Sequence, residues 1–582
     1  MKRILLLILS LLLIFSLAAC GIPTTDPVAT DAPVPDATTE DGDKQLGADA
    51  KPVQPTWVQQ QEARYVPISE VGEYNTDIIT DDILQDCTLT PVDKAALPYW
   101  TGCILENKIS VNYRRPQEWA DYTAGPWHFN EEEIRYLSEN GFNCVRALYS
   151  LSFLSNPEDV YSINLSELEQ LDELIAWCAK YNVHLILSQT GLPGKWGSWG
   201  DGWRDDFEMW DNEENVRVNM ELFTSPDMQK TYTAYYDMLA KRYENIGNGI
   251  LSFELAVEAA VPDGDERLYT DVLAPVAETI WSHNQERIVI VNDVWRAVPE
   301  QLAKIGCCIS MHNHIFTLDP DSLEGSGLGE YQIKWSMQYL PHVMNETSAP
   351  LKLRAENEFS AGTLTICYAY SSNSPRVMAD GLVIHPSEHS ESEAERAAIS
   401  VEIPTGTKEL SVDVPWQTGF LGFRLTQDGK PDIALATHGL YANVTWEPED
   451  MPTLLIRDDM SVEDISDPKI ELNAAYFQKQ YLQPFIDCAR EHGVSFLMTE
   501  IGTDGAVNLS PAEYVDYEEE WLSALKNNGI GWMYNASHSI LAPENLMGLN
   551  AENSRFTEFS DVPNMYSYQV NNVVMDMLKR YQ

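Results

Sequence analysis

Two glutamates stand at the ends of apolar runs far apart in this sequence. Ile250 to Leu255 gives way to Ala256-Val257-Glu258, and Val494 to Met498 gives way to Thr499-Glu500-Ile501-Gly502. One carboxylate at a strand end has many uses, whereas two that face each other form an acid/base or nucleophile/acid pair. Carboxyls roughly 5 to 5.5 Å apart suit hydrolysis of a glycosidic bond with retention, one attacking the anomeric carbon and the other, kept protonated by its surroundings, donating to the leaving oxygen. The alternative use of either glutamate is structural, as partner of Arg146 in Gly141-Phe142-Asn143-Cys144-Val145-Arg146. A cation there would keep a carboxylate ionised, so both uses fix charge at one place. His312 and His314 end and follow another apolar run, and two imidazoles beside candidate carboxylates read as part of a site.

These residues meet only if the fold brings strand ends together. From about Lys108, short apolar runs alternate with amphipathic helical patterns. Eight candidate strands result: Lys108 to Asn112, Asn143 to Leu148, His184 to Gln189, Ile250 to Leu255, Arg287 to Asn292, Cys307 to His312, Ser495 to Glu500 and Gly531 to Tyr534. Helical patterns lie between them at Asn130 to Asn140, Leu165 to Tyr181, Met228 to Tyr243 and Tyr269 to Asn284. Asn140-Gly141 and Asn528-Gly529 read as helix ends, and Asn164 as an N-cap with Glu167 at capping-box spacing. A doubly wound open sheet would show similar alternation, but no Gly-x-Gly-x-x-Gly follows the first strand, so the expected fold is an α/β (β/α)8 TIM barrel. In such a barrel Glu258, just past strand four, and Glu500, ending strand seven, share one mouth. The alternation breaks once, from Pro341 to Trp446, where period-two runs separated by turn residues predict an inserted β-sandwich between strands six and seven.

The whole chain bounds the partners. It has 582 residues with 38 Lys+Arg against 89 Asp+Glu, a formal net charge of -51 that repels nucleic acid and is compatible with a neutral polysaccharide. Lys2-Arg3, apolar Ile4 to Phe15 and Leu17-Ala18-Ala19-Cys20-Gly21 read as an export signal with a lipobox, predicting cleavage after residue 19 and a lipid on Cys20. The protein is therefore expected outside the cytoplasm, held to the cell membrane by that lipid. Residues 20–60, rich in Pro, Thr, Asp and Ala, read as a tether. The remainder divides into 61–340 (an N-terminal extension and the first part of the barrel), the insert at 341–446, and the rest of the barrel at 447–582. The eight other cysteines show no metal-ligand spacing, no cofactor is called for, and Cys87 with Cys103 is the one pair a disulfide is considered for.

Glu254-Leu255-Ala256-Val257-Glu258-Ala259 resembles the Glu-x-x-Asn-Glu-Pro strand-four motif of glycoside hydrolase family 5, the cellulase and mannanase family, and Thr499-Glu500-Ile501-Gly502 is similar to its strand-seven motif. The resemblance runs from about Lys108 to the C-terminus without the insert. It implies Glu258 as acid/base, Glu500 as nucleophile, Arg146 beside the nucleophile, and His312-Asn313-His314 in place of a His-x-Tyr whose two rings contact substrate and support the nucleophile. It also implies a retaining hydrolase acting on a β-linked polysaccharide or oligosaccharide. Trp196, Trp199, Trp203, Phe207 and Trp210 follow strand three in a Gly- and Asp-rich loop, where indoles would stack on sugar rings or pack the loop itself. Trp532 and Tyr534 are expected at the floor of the sugar site, and Gln189 offers polar contacts where the family often carries a histidine. Val257 and Ala259 depart from the family's asparagine and proline, and valine cannot donate the asparagine's hydrogen bond. That departure sustains a second reading, a glycan-binding surface lipoprotein with impaired catalysis.

Overall fold

A computed structural model describes residues 64–73, 87–105, 131–156, 159–191, 221–257, 259, 261, 265–293, 298–316, 349–370, 376–377, 383–384, 395–414, 418–436, 453–465, 473–505, 511–535, 547–548 and 569–582. Eight strands close into a parallel barrel: Thr101–Leu105, Cys144–Ser150, His184–Gly191, Leu251–Leu255, Val289–Asn292, Cys308–Phe316, Phe496–Gly505 and Trp532–Tyr534. Each pairs in parallel with its sequence neighbours, and the eighth closes on the first through Thr101↔Trp532. With helices between consecutive strands, this is a (β/α)8 TIM barrel.

Seven of the strands fall where the apolar runs predict them, and the first does not. It is Thr101–Leu105, fully buried along its length, rather than Lys108 to Asn112, which lies outside the described residues. Its identity depends on a glycine. A Cβ on Gly102 would sit 1.9 Å from the Cys144 carbonyl oxygen, so only glycine lets the first strand lie against the second. The sixth and seventh strands run longer than predicted, pairing from Phe496↔Ile309 to Gly505↔Phe316, past the level of Glu500↔His312.

The helices begin and end on the expected local chemistry. Asn164 caps Leu165–Lys180 by accepting from the Ser166 amide, Ser225 caps Pro226–Arg242, and Asp265 caps Glu266–His283. Gly141 and Gly529 take positive φ, 92° and 66°, after their helices. Asp172 ties two helices together, accepting from Nε and Nη2 of Arg242 at 3.0 and 2.6 Å and from the Tyr243 hydroxyl at 2.8 Å.

The insert is a β-sandwich with its own core. One sheet is ordered Thr407–Val414, Ala349–Phe359, Thr453–Ile456, Val462–Asp464 and the other Glu395–Ile403, Gly362–Tyr370, Thr418–Gln427, Ile433–Ala436. Leu351, Leu353, Phe359 and Leu454 of the first meet Leu364, Ile403, Phe423 and Leu425 of the second. The insert does not end near Trp446. Thr453–Ile456 pairs in parallel with Ala349–Phe359, which carries the sandwich to Asp464. A two-residue stretch within the insert, Val383–Ile384, pairs with Arg376–Val377 outside both sheets. Cys87 and Cys103 are free thiols.

Candidate active site

Strands two to seven each place polar side chains at one level inside the otherwise apolar barrel: Arg146, Ser188, Glu254, Asn292, Ser310 with His312, and Thr499 with Glu500. A charged group at such depth is tolerable only when paired and hydrogen-bonded. Arg146 is fully buried and splits its guanidinium. Nε donates to Glu254 Oε2 at 2.5 Å and to Ser188 Oγ at 2.9 Å, Nη1 donates to Glu500 Oε1, and Nη2 lies 3.3 Å from His312 Nε2. Glu254, also fully buried, accepts on Oε2 from the Ser188 hydroxyl as well. On Oε1 it accepts from Asn292 Nδ2 at 2.7 Å, Thr499 Oγ1 at 2.8 Å and Ser310 Oγ at 3.0 Å.

Burial pushes the Glu254 carboxyl up, but the Arg146 charge and the hydrogen bonds from Ser188 and Arg146 outweigh it and hold the group below the usual carboxylate range. For Arg146 burial pulls down, and Glu254 and Glu500 more than restore the charged form. The triad carries two carboxylates against one cation. Glu500 and His312 are the most exposed members of the network, 8% each, so its open side is the side of the predicted nucleophile.

His312 Nε2 faces two donors, Arg146 Nη2 and Asn292 Nδ2, each at 3.3 Å, which makes it an acceptor. The ring proton is then on Nδ1, 3.6 Å from Glu500 Oε2. The two Glu500 oxygens thus face different groups, a guanidinium and an imidazole N–H.

Strand four ends in a left-handed kink. Ala256 has φ 46°, a conformation that costs a non-glycine residue about 1–2 kcal/mol. Its amide donates to the Tyr232 hydroxyl at 3.1 Å, that hydroxyl donates to Gln189 Oε1 at 2.8 Å, and the Gln189 carbonyl accepts from the Val257 amide at 2.9 Å. Val257 and Ala259, which flank Glu258 in sequence, are both buried.

The other predicted residues divide clearly. Arg146, Glu500 and His312 converge. Glu258, Trp199 and Trp203 lie outside the described residues, as do Trp196, Phe207, Trp210 and Cys20, while His314 is placed by backbone register alone, opposite Gly502. Gln189 is fully buried with its side-chain oxygen engaged by Tyr232, which makes it a brace for strand four rather than a surface open to substrate. Trp532 corrects its expectation too. It starts the eighth strand, fully buried, with Nε1 donating to the Tyr99 hydroxyl at 3.1 Å and its ring edge-on to Phe142, both before the starts of strands. That is the end of the barrel opposite the mouth. Tyr534 ends the strand, 2% exposed, its hydroxyl 2.6 Å from that of Tyr514 and its ring beside Gly502.

Sequence reading left Glu254, Asn292, Ser188, Ser310 and Thr499 without roles. Their common signal is a polar residue within a strand whose neighbours are buried on both faces, where it must find partners across the barrel. Among the described residues no group of three His, Cys, Asp or Glu side chains is arranged to hold a metal ion.

No family model matches the chain. Over 156 residues it is 27% identical to endoglucanase C of Acetivibrio thermocellus, covering 26% of this chain and 40% of that protein. Over 133 residues it is 29% identical to endoglucanase C307 of Clostridium sp. (strain F1), covering 23% and 34%. The chain resembles glycoside hydrolase family 5. It spans between 34% and 40% of the length of the curated relatives it matches. Among solved structures, one described as a glycoside hydrolase aligns over 83% of this chain and 99% of its own at TM-score 0.43 and 13% identity. A GH5-4 broad specificity endoglucanase from Clostridium longisporum aligns over 84% and 99% at TM-score 0.41 and 9% identity.

Proposed function

We propose that the chain is a retaining glycoside hydrolase acting on a β-linked glucan or related polysaccharide, with Glu500 as nucleophile and Glu258 as acid/base. The observation that carries this reading is the setting of Glu500 on strand seven, with one oxygen on a buried guanidinium and the other toward the His312 Nδ1 proton. A carboxylate so held presents a fixed nucleophile without a conformational search. In the first step a Glu500 oxygen attacks the anomeric carbon while Glu258 protonates the departing glycosidic oxygen, leaving a glycosyl ester on Glu500. In the second step Glu258, now a carboxylate, takes a proton from water as it attacks the same carbon, and Glu500 is released. The likeness to endoglucanases favours a β-glucan substrate cut within the chain, and the net charge of -51 favours a neutral one. The lipid anchor on Cys20 and the location outside the cytoplasm belong to the same proposal.

The test is Glu500→Gln in purified protein assayed against a polysaccharide panel. Hydrolysis is expected to fall by at least 10³-fold, on the order of the loss from removing a group essential to one covalent step, with circular dichroism unchanged. Undiminished hydrolysis overturns the assignment. The anomeric configuration of the first product, read by proton NMR, is expected to be retained, and inversion rejects the double displacement. The second reading, glycan capture without catalysis, rests on Val257, buried at 5% exposure where the resemblance calls for asparagine. Glycan binding by the unaltered protein with no new reducing ends would establish it instead.

A further inference from the structure

We propose that Glu254 is a positioning residue for Glu500, acting through Arg146: it anchors the guanidinium at Nε and takes up part of its charge, so that Nη1 meets Glu500 as a shared cation. This rests on the reading of Glu500 as nucleophile but concerns a residue to which that reading gives no task.

Three observations carry it. Glu254 is fully buried and accepts from five groups on five different strands, namely Arg146, Ser188, Asn292, Ser310 and Thr499. A carboxylate so completely satisfied is held as an anion and has no lone pair to offer a substrate. Second, the Arg146 nitrogen it engages is Nε, the one nearest the side-chain stem, and this fixes the plane of the guanidinium so that Nη1 and Nη2 reach Glu500 and His312. Third, the charges do not cancel pairwise. One cation serves two carboxylates, and a cation given wholly to Glu500 would hold its electrons more tightly than a nucleophile needs.

The titratable and charged groups around Glu500 come from separate elements: Arg146 on strand two, Glu254 on strand four and His312 on strand six. Tyr269, on the helix after strand four, faces Glu254 as a phenol pushed up by burial, and so stays neutral. Of these, Glu254 is the one whose charge can be removed without touching a direct neighbour of Glu500.

The experiment reads the ionisation of Glu500 directly. Protein labelled with carboxyl-¹³C glutamate is titrated by NMR, with the Glu500 resonance identified by its loss in Glu500→Gln. In Glu254→Gln, which keeps shape but not charge, Arg146 is left to Glu500 alone, and the Glu500 midpoint is expected to fall by about one pH unit. Glu254→Asp keeps the charge on a shorter arm, so the midpoint is expected to shift by less than half as much as in Glu254→Gln. A purely structural Glu254 would lower the melting temperature in both variants and move the midpoint in neither. That result overturns the proposal. Should Glu254→Gln fail to fold, Thr499→Val removes one donor from Glu254 and throws more of its demand on Arg146, so the Glu500 midpoint is expected to rise. No rise would overturn the proposal by that route. Where the protein is hydrolytic, the acid limb of its kcat profile is expected to follow the NMR midpoint, with kcat reduced about tenfold and KM within about twofold in both Glu254 variants. Because the titration needs no turnover, a protein inactive on every glycan rejects the proposed function and still leaves the role of Glu254 decided by NMR.

Discussion

At the scale of single residues, the chemistry-bearing side chains were legible to the degree that their strands were. Arg146, His312 and Glu500 were found because each ends or interrupts an apolar run, and the structure brings the three together. Glu254 belongs to the same strand-four motif as Glu258, but a sequence shows that a buried charge needs partners without showing which strands supply them. Gln189 and Trp532 depart from their expectation for a related reason: the elements packed on a strand decide what its side chains meet, Tyr232 for one and Tyr99 with Phe142 for the other. Outside this network, Glu173 on the helix Leu165–Lys180 offers a measurable charge effect. Burial, with the carboxylates Glu169 and Asp172 nearby, pushes its carboxyl up to about 7. With the folded value above the unfolded one, the native state binds the extra proton, so stability present below about pH 4.5 is lost as pH rises towards 7. Glu173→Gln is therefore expected to leave the melting temperature unchanged near pH 4.5 and to raise it at pH 8. The gain is about 1 kcal/mol, once solvent screening of a half-exposed group is allowed for. Differential scanning calorimetry at the two pH values checks both halves, and an equal gain at both would exclude the charge effect.

At the scale of elements, local chemistry fixed most boundaries and long-range packing fixed the exceptions. Asn164, Gly141 and Gly529 did what their residue types demand. The first barrel strand was missed because Thr101–Leu105 precedes the alternation that betrays the other strands, and its place depends on the Gly102 contact with strand two. What joins a helix to its following strand is less visible still. Arg287, 2% exposed before strand five, donates from Nη1 to the Leu251 carbonyl at 2.6 Å. From Nη2 it donates to the Tyr243 and Ile246 carbonyls at 2.7 and 2.8 Å. It thereby satisfies the turn that leads the helix Pro226–Arg242 into strand four, with its charge over the Phe253 ring at 5.6 Å. Burial pulls its guanidinium down to about 10, still charged at neutral pH. Arg287→Leu leaves three buried carbonyls without that donor and is expected to cost about 3 kcal/mol. Arg287→Lys is expected to recover less than half, because an ammonium cannot span the fork of acceptors that the guanidinium reaches. Urea unfolding curves of the three proteins supply the comparison, and full recovery by lysine would show that charge, not geometry, matters there.

At the scale of the whole molecule, one chain makes two hydrophobic cores. The barrel core runs from Val71 to Leu578, and the sandwich core gathers Leu351, Leu353, Phe359, Leu364, Phe423, Leu425, Leu454 and Ile456 among its members. None of the sandwich core residues belongs to the barrel core, so the barrel does not rely on them for its packing. The period-two pattern revealed the insert but misjudged its end, because Thr453–Ile456 and Val462–Asp464 are short strands whose sheet is decided by a partner some hundred residues earlier. That difference predicts opposite outcomes for two deletions. Removing 341–446 strands Leu454 and Ile456, now 4% and 3% exposed, without Leu351, Leu353 or the opposing sheet. Bared strand edges with apolar side chains pair between molecules, so this protein is expected to aggregate. Removing 341–465 and bridging the gap with a short Gly/Ser linker takes out the sandwich whole. Its barrel is expected to stay monodisperse in size-exclusion chromatography and to keep whatever glycan hydrolysis or binding the full chain shows. Soluble, monomeric behaviour of both deletions would mean that the last two strands do not need the sandwich. Aggregation of both would mean that the barrel depends on the insert for more than its core.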